Sequence, residues 1–497
     1  MFQSCNAIRC GGGIGRDDWI RTSDLCVPNA ALYQAEPHPD GDPNCTTTFP
    51  RTYDPNCHGR YVLEHMLPRT KRMAWSLLAA AIAGSAVSQD TLTLDEALTL
   101  ARNNNGDVRA AAYDVRAANA RVNQARSAFY PTITPFLEWS NRRTRTTISG
   151  GNLVSTSDGT TTGVNASWNV LDAGQRNFSL LSARRSEDAT RFDAIQLLRN
   201  TLFRVHQQYY DALRAQELLR VAQSQVDRNQ KIYDQAEFGA RPEIGTVARK
   251  DVYQARADLL NAKVELLRVT SLSMTTKSDL EATIGWNQAV ELPPLQPAPE
   301  VTPEPPMPLE TIVATGLANR ADLQANRRRL DSQYYGMKRA ERDAGFSFDL
   351  DLNYSLNFTP DDDENRSLTL LVTYPLFDGG RLREQAREQR MSYLGSREVL
   401  TQNEREVRAD IEVAYAEFVQ NIERLNASKL ALEAARVNYD AAVAAQREGA
   451  NDVIAVLTAQ VSLVTAESNY IEATYDYYVS DVNLRLVSGR PVPGETE

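Results

Sequence analysis

Residues 346–358 read FSFDLDLNYSLNF, and they give the clearest indication of how this chain folds. Large apolar side chains occupy every second position without a break, and Ser, Asp or Asn occupies every position between them. A period of two predicts a β-strand with one apolar and one polar face. Asp349 and Asp351 belong to the polar face. The apolar face comprises Phe346, Phe348, Leu350, Leu352, Tyr354, Leu356 and Phe358.

Three further segments carry the same alternation. One follows closely, and two lie in the first half of the chain, where Trp139 and Trp168 are on the predicted apolar faces. The apolar positions are Leu368, Leu370, Val372 and Tyr374 in the first segment, Ile133, Leu137 and Trp139 in the second, and Val164, Ala166, Trp168 and Val170 in the third. The sequence therefore predicts four strands.

The rest of the chain predicts long helices. Apolar residues step by four and three positions through Ile411, Tyr415, Phe418, Ile422 and Leu425, which is the spacing of one helix face. Neither Pro nor Gly interrupts residues 176–238, so one helix there would extend roughly 95 Å at about 1.5 Å per residue. Helices of that length favour an antiparallel coiled coil over a compact domain.

The two halves are copies of one design. With an offset of 215, Leu94 and Asp107 match Leu309 and Asp322; the offset then becomes 206 and finally 204. Each copy is predicted to contain a helix, two strands, a helix, a turn and a helix. The offset changes near 142–162 and 239–245, and we interpret both places as loops.

The duplication gives the predicted domain boundaries. Residues 89–292 form the first repeat, 293–308 a Pro-rich linker, 309–490 the second repeat and 491–497 a C-terminal tail. Residues 66–88 have the basic start, short apolar core and small residues of a secretory signal, with cleavage after Ala86 or Ser88. Because such a signal must be N-terminal, we interpret residues 1–65 as a non-native upstream extension or a disordered segment, with translation starting at Met66.

The composition disfavours several classes of function. A formal net charge of -10 and a pI near 5.2 disfavour nucleic acid as a partner. All five cysteines lie at or before Cys57, so the predicted repeats have no thiol nucleophile and no Cys-ligated metal. His206 is the one histidine after residue 65, and its helical setting favours a coiled-coil surface or seam position over catalysis. We expect no enzymatic activity and no cofactor.

The strands fit an outer membrane. A tilted strand of about 9 to 11 residues spans it, with one face toward lipid and the other toward a lumen. Four strands cannot close a barrel, and lipid tolerates no open sheet edge, so several chains must pool their strands. In this interpretation Asp349 and Asp351 face the lumen. The alternative is a soluble antiparallel sheet with one buried face.

These residues resemble the TolC family of outer-membrane channels over about residues 92–490. The resemblance rests on duplicated segments that occur in the family's order and spacing: WNVLDAG at 168–174, YPLFDGG at 374–380, and the run from Ile244 to Ala255. It implies a mainly α chain with a small β part, whose four strands join a homotrimeric 12-stranded barrel. Long helices would form a periplasmic tunnel, closed at a tip near 239–251 and 446–458.

The resemblance also implies site residues. Asp251 matches a family aspartate in an inter-helix link at the tip, but its arginine partner would fall at Asn451. The family's acidic rings would fall at Ala455 and Thr458, so Glu448 and Asp452 are the substitutes we consider. The predicted turn glycines are Gly245 and Gly449, and the predicted barrel-to-tunnel turns contain Asp172, Gly174, Asp378 and Gly380.

The implied function is a passive outer-membrane channel of a tripartite efflux pump or a type I secretion system, exported by its signal peptide. Its expected partners are two further copies, outer-membrane lipid, a periplasmic adaptor, and an inner-membrane RND or ABC transporter. No cysteine follows the signal, so the lipid anchor of some relatives is not expected. The competing hypothesis is a periplasmic coiled-coil scaffold or adaptor protein.

Overall fold

The computed structural model describes residues 19–22, 25–28, 91–148, 150–244, 247–286, 291–299, 301, 303, 307–358, 363–448 and 453–495. The chain divides into two units. The first comprises residues 1–92 and 293–296 and contains an antiparallel hairpin of β1 (Trp19–Thr22) and β2 (Leu25–Pro28). A parallel bridge joins Leu92 to Leu295 in the same unit. The predicted signal segment lies outside the described residues.

The second unit contains four strands and eight helices among its described residues. In chain order they are α1 (Leu94–Asn104), α2 (Gly106–Ser127), β3 (Thr132–Ile148), β4 (Gly151–Leu171), α3 (Gln175–Gly239), α4 (Arg249–Ile284), α5 (Leu309–Asn319), α6 (Ala321–Arg342), β5 (Ser347–Asn357), β6 (Asp363–Thr373), α7 (Arg381–Arg447) and α8 (Val453–Val487). The predicted combination of long helices with four strands is confirmed.

The four strands of this unit form one antiparallel sheet in the order β3-β4-β5-β6. The interpretation of residues 142–162 as a loop is wrong, because β3 and β4 pair continuously from Thr132↔Ser167 to Ile148↔Gly151. The extra residues of the first copy therefore lengthen two strands. This stretch is rich in Thr, whose β-branched side chain suits a strand, and each residue of β3 lies opposite a residue of β4 in this register.

The first predicted helix of each copy is split in two. Asn105 separates α1 from α2, and its side-chain oxygen accepts hydrogen bonds from the amides of Asp107 (2.9 Å) and Val108 (3.2 Å). A side chain that caps a new N-terminus favours a break over a continuous helix. Its amide nitrogen donates to the Thr283 carbonyl at 2.9 Å, which fixes the break against the end of α4. Arg320 occupies the matching break between α5 and α6.

The two longest helices, α3 and α7, have 65 and 67 residues. Helix α3 packs against α4 on one side and α8 on the other, and α8 packs against α7. Ile411 of α7 is fully buried against α5 and α6, where it lies in a cluster with Ile312, Val313 and Leu323. The stripe on α7 predicted from the sequence is thus the buried side of that helix.

A glycine ends the last helix of each copy in the same way. Gly285 and Gly489, related by the offset of 204, both have φ +67°. A Cβ on Gly285 would lie 2.9 Å from Asn104 Cβ, and one on Gly489 would lie 2.9 Å from the carbonyl carbon of Asn319. Asn104 and Asn319 are themselves related by the offset of 215. The left-handed backbone and the close approach both require glycine.

Candidate functional site

The sheet has one continuous apolar face. Leu350 of β5 lies opposite Trp168 of β4 and Leu370 of β6, and Leu352 lies opposite Ala166 and Leu368. The predicted apolar residues of β5 therefore share a face with those of its neighbours. Leu137, Leu368 and Leu370 are 76%, 69% and 62% exposed. An apolar face this large and open on a folded chain requires a lipid or protein cover.

The other face of the sheet carries a ladder of polar side chains. Asn169 donates to Asp349 Oδ1 at 2.6 Å, and Thr161 donates to Asn357 Oδ1 at 2.7 Å. Asn353 donates to Asn165 between them. Asp351 lies on the same face and is exposed. These cross-strand bonds satisfy polar groups on a surface that suits water, while the opposite surface of the same strand segments is mainly apolar.

Phe136 is an aromatic residue on this polar face, and the sequence pattern did not single it out. It lies opposite Gly163, and a Cβ on that glycine would be 2.8 Å from the Phe136 ring and would also meet the Tyr354 carbonyl oxygen. The ring covers the backbone that the glycine leaves bare. A glycine inside an alternating strand is the signal that would have indicated this packing.

The two strand-to-helix turns have the same hydrogen bonds. Asp378 Oδ1 accepts from the Gly380 amide (2.9 Å) and Oδ2 from the Leu382 amide (2.8 Å). Asp172 accepts in the same way from Gly174 (3.1 Å) and Arg176 (2.9 Å). Each carboxylate thereby caps the first turn of α7 or α3, where negative charge also favours the helix dipole. The capping Gly380 and Gly174 have φ +88° and +92°.

Protonation of Asp378 should weaken its turn. The Leu382 amide, followed by the Gly380 amide, holds the pKa of this carboxyl below its ordinary value. The ionised carboxylate therefore contributes to the free energy of unfolding. This contribution is complete above the ordinary carboxyl pKa near 4, and it is lost as pH falls through the lower pKa of the folded state. We expect Asp378→Asn to lower the thermal dissociation temperature of the assembled protein at pH 7, and we expect its difference from the parent to shrink as pH falls below the ordinary carboxyl pKa.

The control is Asp440→Asn, the same change at an exposed site on α7. Dissociation temperatures measured on gels from pH 3 to pH 7 check both variants. An equal effect of the two substitutions at pH 7 would contradict the capping role.

Arg176 stabilises only one of the two strand-to-helix turns, the one between β4 and α3. Its guanidinium donates to Asp172 Oδ2 (2.9 Å) and to the carbonyls of Ala128 (3.1 Å) and Val170 (3.0 Å), and it lies 5.1 Å from the Phe129 ring centre. It thus fastens the end of α2 to the end of β4. Leu382 occupies the matching position of the second copy, so the duplication gave no indication of this role.

The predicted tip residues are only partly described. Asp251 lies in the first turn of α4 and is buried, close to the start of the helix where its charge is favourable. Glu448 follows the last residue of α7 and is exposed. Asn451, Asp452, Gly245 and Gly449 lie outside the described residues. Between these helix ends is an apolar cluster that includes Ile232 and Val456.

Helices α4 and α7 each carry a stripe of exposed apolar side chains. Helices α4 and α7 lie at the two ends of the packing order α4-α3-α8-α7. The α4 stripe comprises Tyr253, Ala257, Leu260, Val264, Leu267 and Met274, and the α7 stripe comprises Val413, Ala416, Ala427, Leu430, Ala434, Val437, Ala441 and Ala444. Both advance mostly in steps of three and four, as a coiled-coil seam does, with one longer gap in each, from Leu267 to Met274 on α4 and from Ala416 to Ala427 on α7.

His206 lies in a seam of α3. It is buried, and its Nε2 is 3.2 Å from the Pro493 carbonyl oxygen. Burial lowers the pKa of this imidazole. Among the described residues no group of His, Cys, Asp and Glu is arranged to hold a metal ion. None of the helices in the described ranges has the length and apolar character needed to cross a membrane.

Comparison with known proteins identifies the family. The sequence model of the outer membrane efflux protein family matches residues 97–285 and 313–490. Outer membrane protein TolC of Escherichia coli is 22% identical over 446 residues, covering 84% of this chain and 86% of TolC. The cobalt-zinc-cadmium resistance protein CzcC of Cupriavidus metallidurans is 24% identical over 410 residues, covering 80% of this chain and 90% of CzcC.

The fold matches solved channels as well. The Campylobacter jejuni CmeC outer membrane channel superposes with a TM-score of 0.72 at 16% identity, covering 80% of this chain and 85% of that one. The family match extends over most of both repeats, and the resemblance inferred from the strand exits and helical turns is confirmed. The chain belongs to the outer membrane efflux protein family, whose members are transport channels of the outer membrane.

Proposed function

We propose that three copies of this chain form a passive outlet channel in the outer membrane, without catalytic activity of its own. The observation that carries the proposal is the four-stranded sheet, which has an exposed apolar face, a polar face and two outer strands, β3 and β6. In lipid, each outer strand needs a partner for its backbone groups. Pairing β6 of one copy with β3 of the next satisfies both strands, and three copies give twelve strands.

Closing the ring of three copies in this way also brings helices of neighbouring copies into contact. The stripes on α4 and α7 face away from the packed interior of each copy, so a ring of copies brings the α7 stripe of one against the α4 stripe of the next. Burying exposed aliphatic side chains contributes about 25 cal/mol per Å² of apolar surface removed from water. The resulting tunnel continues the barrel lumen that we propose for Asp349 and Asp351.

The internal duplication predicts which residues meet. Within one copy, α3 contacts α8 through Asn229 with Gln460 (2.7 Å) and Arg214 with Asp476 (2.7 Å). Shifting α3 by 206 onto α7 and α8 by 204 onto α4 places position 435 opposite 256, and 420 opposite 272. The stripe residues Ala434 of one copy and Ala257 of the next then lie at the same height along the two helices, as do Ala427 and Val264, and we propose that they face each other there.

Cysteine pairs test this arrangement. We expect Ala257→Cys with Ala434→Cys to form disulfide-linked dimers and trimers in oxidised outer membranes, because a disulfide needs Cβ atoms about 3.5–4.5 Å apart. No natural cysteine follows Cys57, so the background is low. Non-reducing gels measure the linkage.

The control pair is Gln254→Cys with Glu433→Cys, which lies within about one helical turn of the test pair in height but outside the two stripes. Both control positions are exposed. Efficient linkage of the control pair, or none of the test pair, would contradict the proposed ring.

The closed end of the tunnel is proposed to lie at the helical turns. The N-terminus of α4 and the C-terminus of α7 would meet there between neighbouring copies. Asp251, Glu448, Asn451 and Asp452 are the gate residues we propose, with Gly245 and Gly449 shaping the turns. Opening would require a periplasmic adaptor and an RND or ABC transporter in the inner membrane, which supplies the energy and selects drugs or secreted proteins.

A further inference from the structure

The β3–β4 hairpin continues beyond the apolar band of the sheet and changes character there. On the face that carries Leu137 and Trp139, the next residues of β3 are Asn141, Arg143 and Arg145. Side chains of one parity share a face, so these groups point toward the same side as the apolar band. The β3–β4 hairpin thus carries two guanidinium groups on the face of the apolar band, between Trp139 and the hairpin end.

Among the described residues of their own copy, these two arginines have no anionic partner. Arg143 and Arg145 are exposed, and neither makes an ion pair or a side-chain hydrogen bond to a residue that the structure describes. The nearest acid in register, Asp158, lies opposite Asn141 and already accepts from its amide. By contrast, Arg366 on the outer face of β6 bonds to Glu364 at 2.6 Å.

We infer that Arg143 and Arg145 bind the phosphate groups of a phosphorylated glycolipid, lipid A, in the outer leaflet. The inference rests on the proposed function, which places the helices in the periplasm. The free hairpin ends, at the far end of the strands from the helices, then lie at the cell exterior. Guanidinium groups bind phosphate oxygens through paired, charge-assisted hydrogen bonds, and basic residues next to a membrane are attracted to anionic headgroups.

A neighbouring copy offers a competing anion. In a closed ring, β3 lies beside β6 of the next copy, which carries Glu364. That carboxylate already accepts from Arg366, whose guanidinium also lies 5.6 Å from the Tyr354 ring centre. Asp363, the other acid described on β6, has the opposite parity and belongs to the polar face. Glu364, which already has a partner, does not neutralise two further arginines, so the observations favour the lipid phosphate.

Lipid binding to the purified, detergent-solubilised trimer tests the inference. Native mass spectrometry would titrate bisphosphorylated lipid A, dephosphorylated lipid A and inorganic phosphate against the parent and Arg143→Gln/Arg145→Gln. We expect the double variant to bind the bisphosphorylated lipid roughly 25-fold more weakly, since each basic group near the surface contributes about fivefold. The matched control is Arg142→Gln, on the other face of the same strand, with a change of less than about twofold.

The outcomes separate the explanations. The inference is overturned if the parent binds phosphorylated and dephosphorylated lipid equally, or if Arg142→Gln loses as much affinity as the double variant. Neither result bears on the proposed function, which concerns trimer and pore formation. If Glu364→Gln and the double variant lower the trimer dissociation temperature equally in lipid-free detergent, the arginines serve the neighbouring copy and the inference is overturned. Failure of the parent to form trimers or pores contradicts the proposed function instead.

Discussion

Replacing Leu352 by Arg should strongly reduce the amount of folded channel in the outer membrane. Leu352 lies midway along β5, opposite Ala166 and Leu368, on the apolar face that we propose contacts lipid. An arginine at the centre of a lipid-facing strand costs about 2–4 kcal/mol. The trimer would carry three of them. Semi-native gels of outer-membrane fractions, which distinguish heat-modifiable trimers from unfolded chains, measure the effect.

The neighbouring Asp351 provides the matched control. Asp351→Arg places the same side chain one residue away, on the exposed polar face. If that face lines a water-filled lumen, the folded yield should stay near that of the parent. An equal loss from the two substitutions would mean that the two faces do not differ in environment, which contradicts a membrane barrel.

Gly489→Ala should cause the second large effect, a loss of stability in the helical part. A Cβ there would lie 2.7 Å from the Arg320 amide nitrogen and 2.9 Å from the Asn319 carbonyl carbon, and φ is +67°. The left-handed conformation costs a non-glycine residue about 1–2 kcal/mol. Overpacking against backbone adds about 1–3 kcal/mol. Urea unfolding followed by far-UV circular dichroism measures the loss.

Gly336→Ala is the opposite case. Gly336 lies inside α6, and nothing lies within 4 Å of the position that a Cβ would occupy there. Alanine in a helix interior is favoured over glycine by about 0.5–1 kcal/mol, so this variant should be slightly more stable. A Gly489 variant as stable as the Gly336 variant would show that the helix end is not tightly packed.

Local pattern predicted the strands and helices because burial imposes a simple period on each. The alternation at 346–358 predicted β5, and the uninterrupted run at 176–238 predicted α3. The nine extra residues of the first copy were misassigned because their alternation is polar on both faces. A polar strand has no apolar period, so only its cross-strand pairs reveal it.

The parts of the site that depend on tertiary contacts were harder to predict from the sequence. Arg176 fastens two distant segments, and nothing in its immediate sequence indicates the Ala128 carbonyl that it bonds. The exposed stripes of α4 and α7 resemble ordinary helix faces until the packing order leaves them uncovered. Asp172 and Asp378 were predicted as turn residues from the family resemblance, and the structure adds that both carboxylates cap a helix.

The duplication also shows where the copies differ in chemistry. Asn105 caps α2 with its side chain, whereas Arg320 at the matching break bonds to Asp322 and Asp410 instead. Ala173 adopts φ +53° where the second copy has Gly379 at +71°. A shared backbone has therefore been kept with different side-chain support in each half, which is why site residues cannot simply be transferred between repeats.

Conductance of the purified protein in a planar lipid bilayer distinguishes a trimeric membrane channel from a soluble coiled-coil protein. A water-filled cylinder made of three pooled sheets should give long-lived current steps of uniform size once detergent-solubilised trimers are added. Protein that stays monomeric without detergent and produces no stable current steps would contradict a membrane channel.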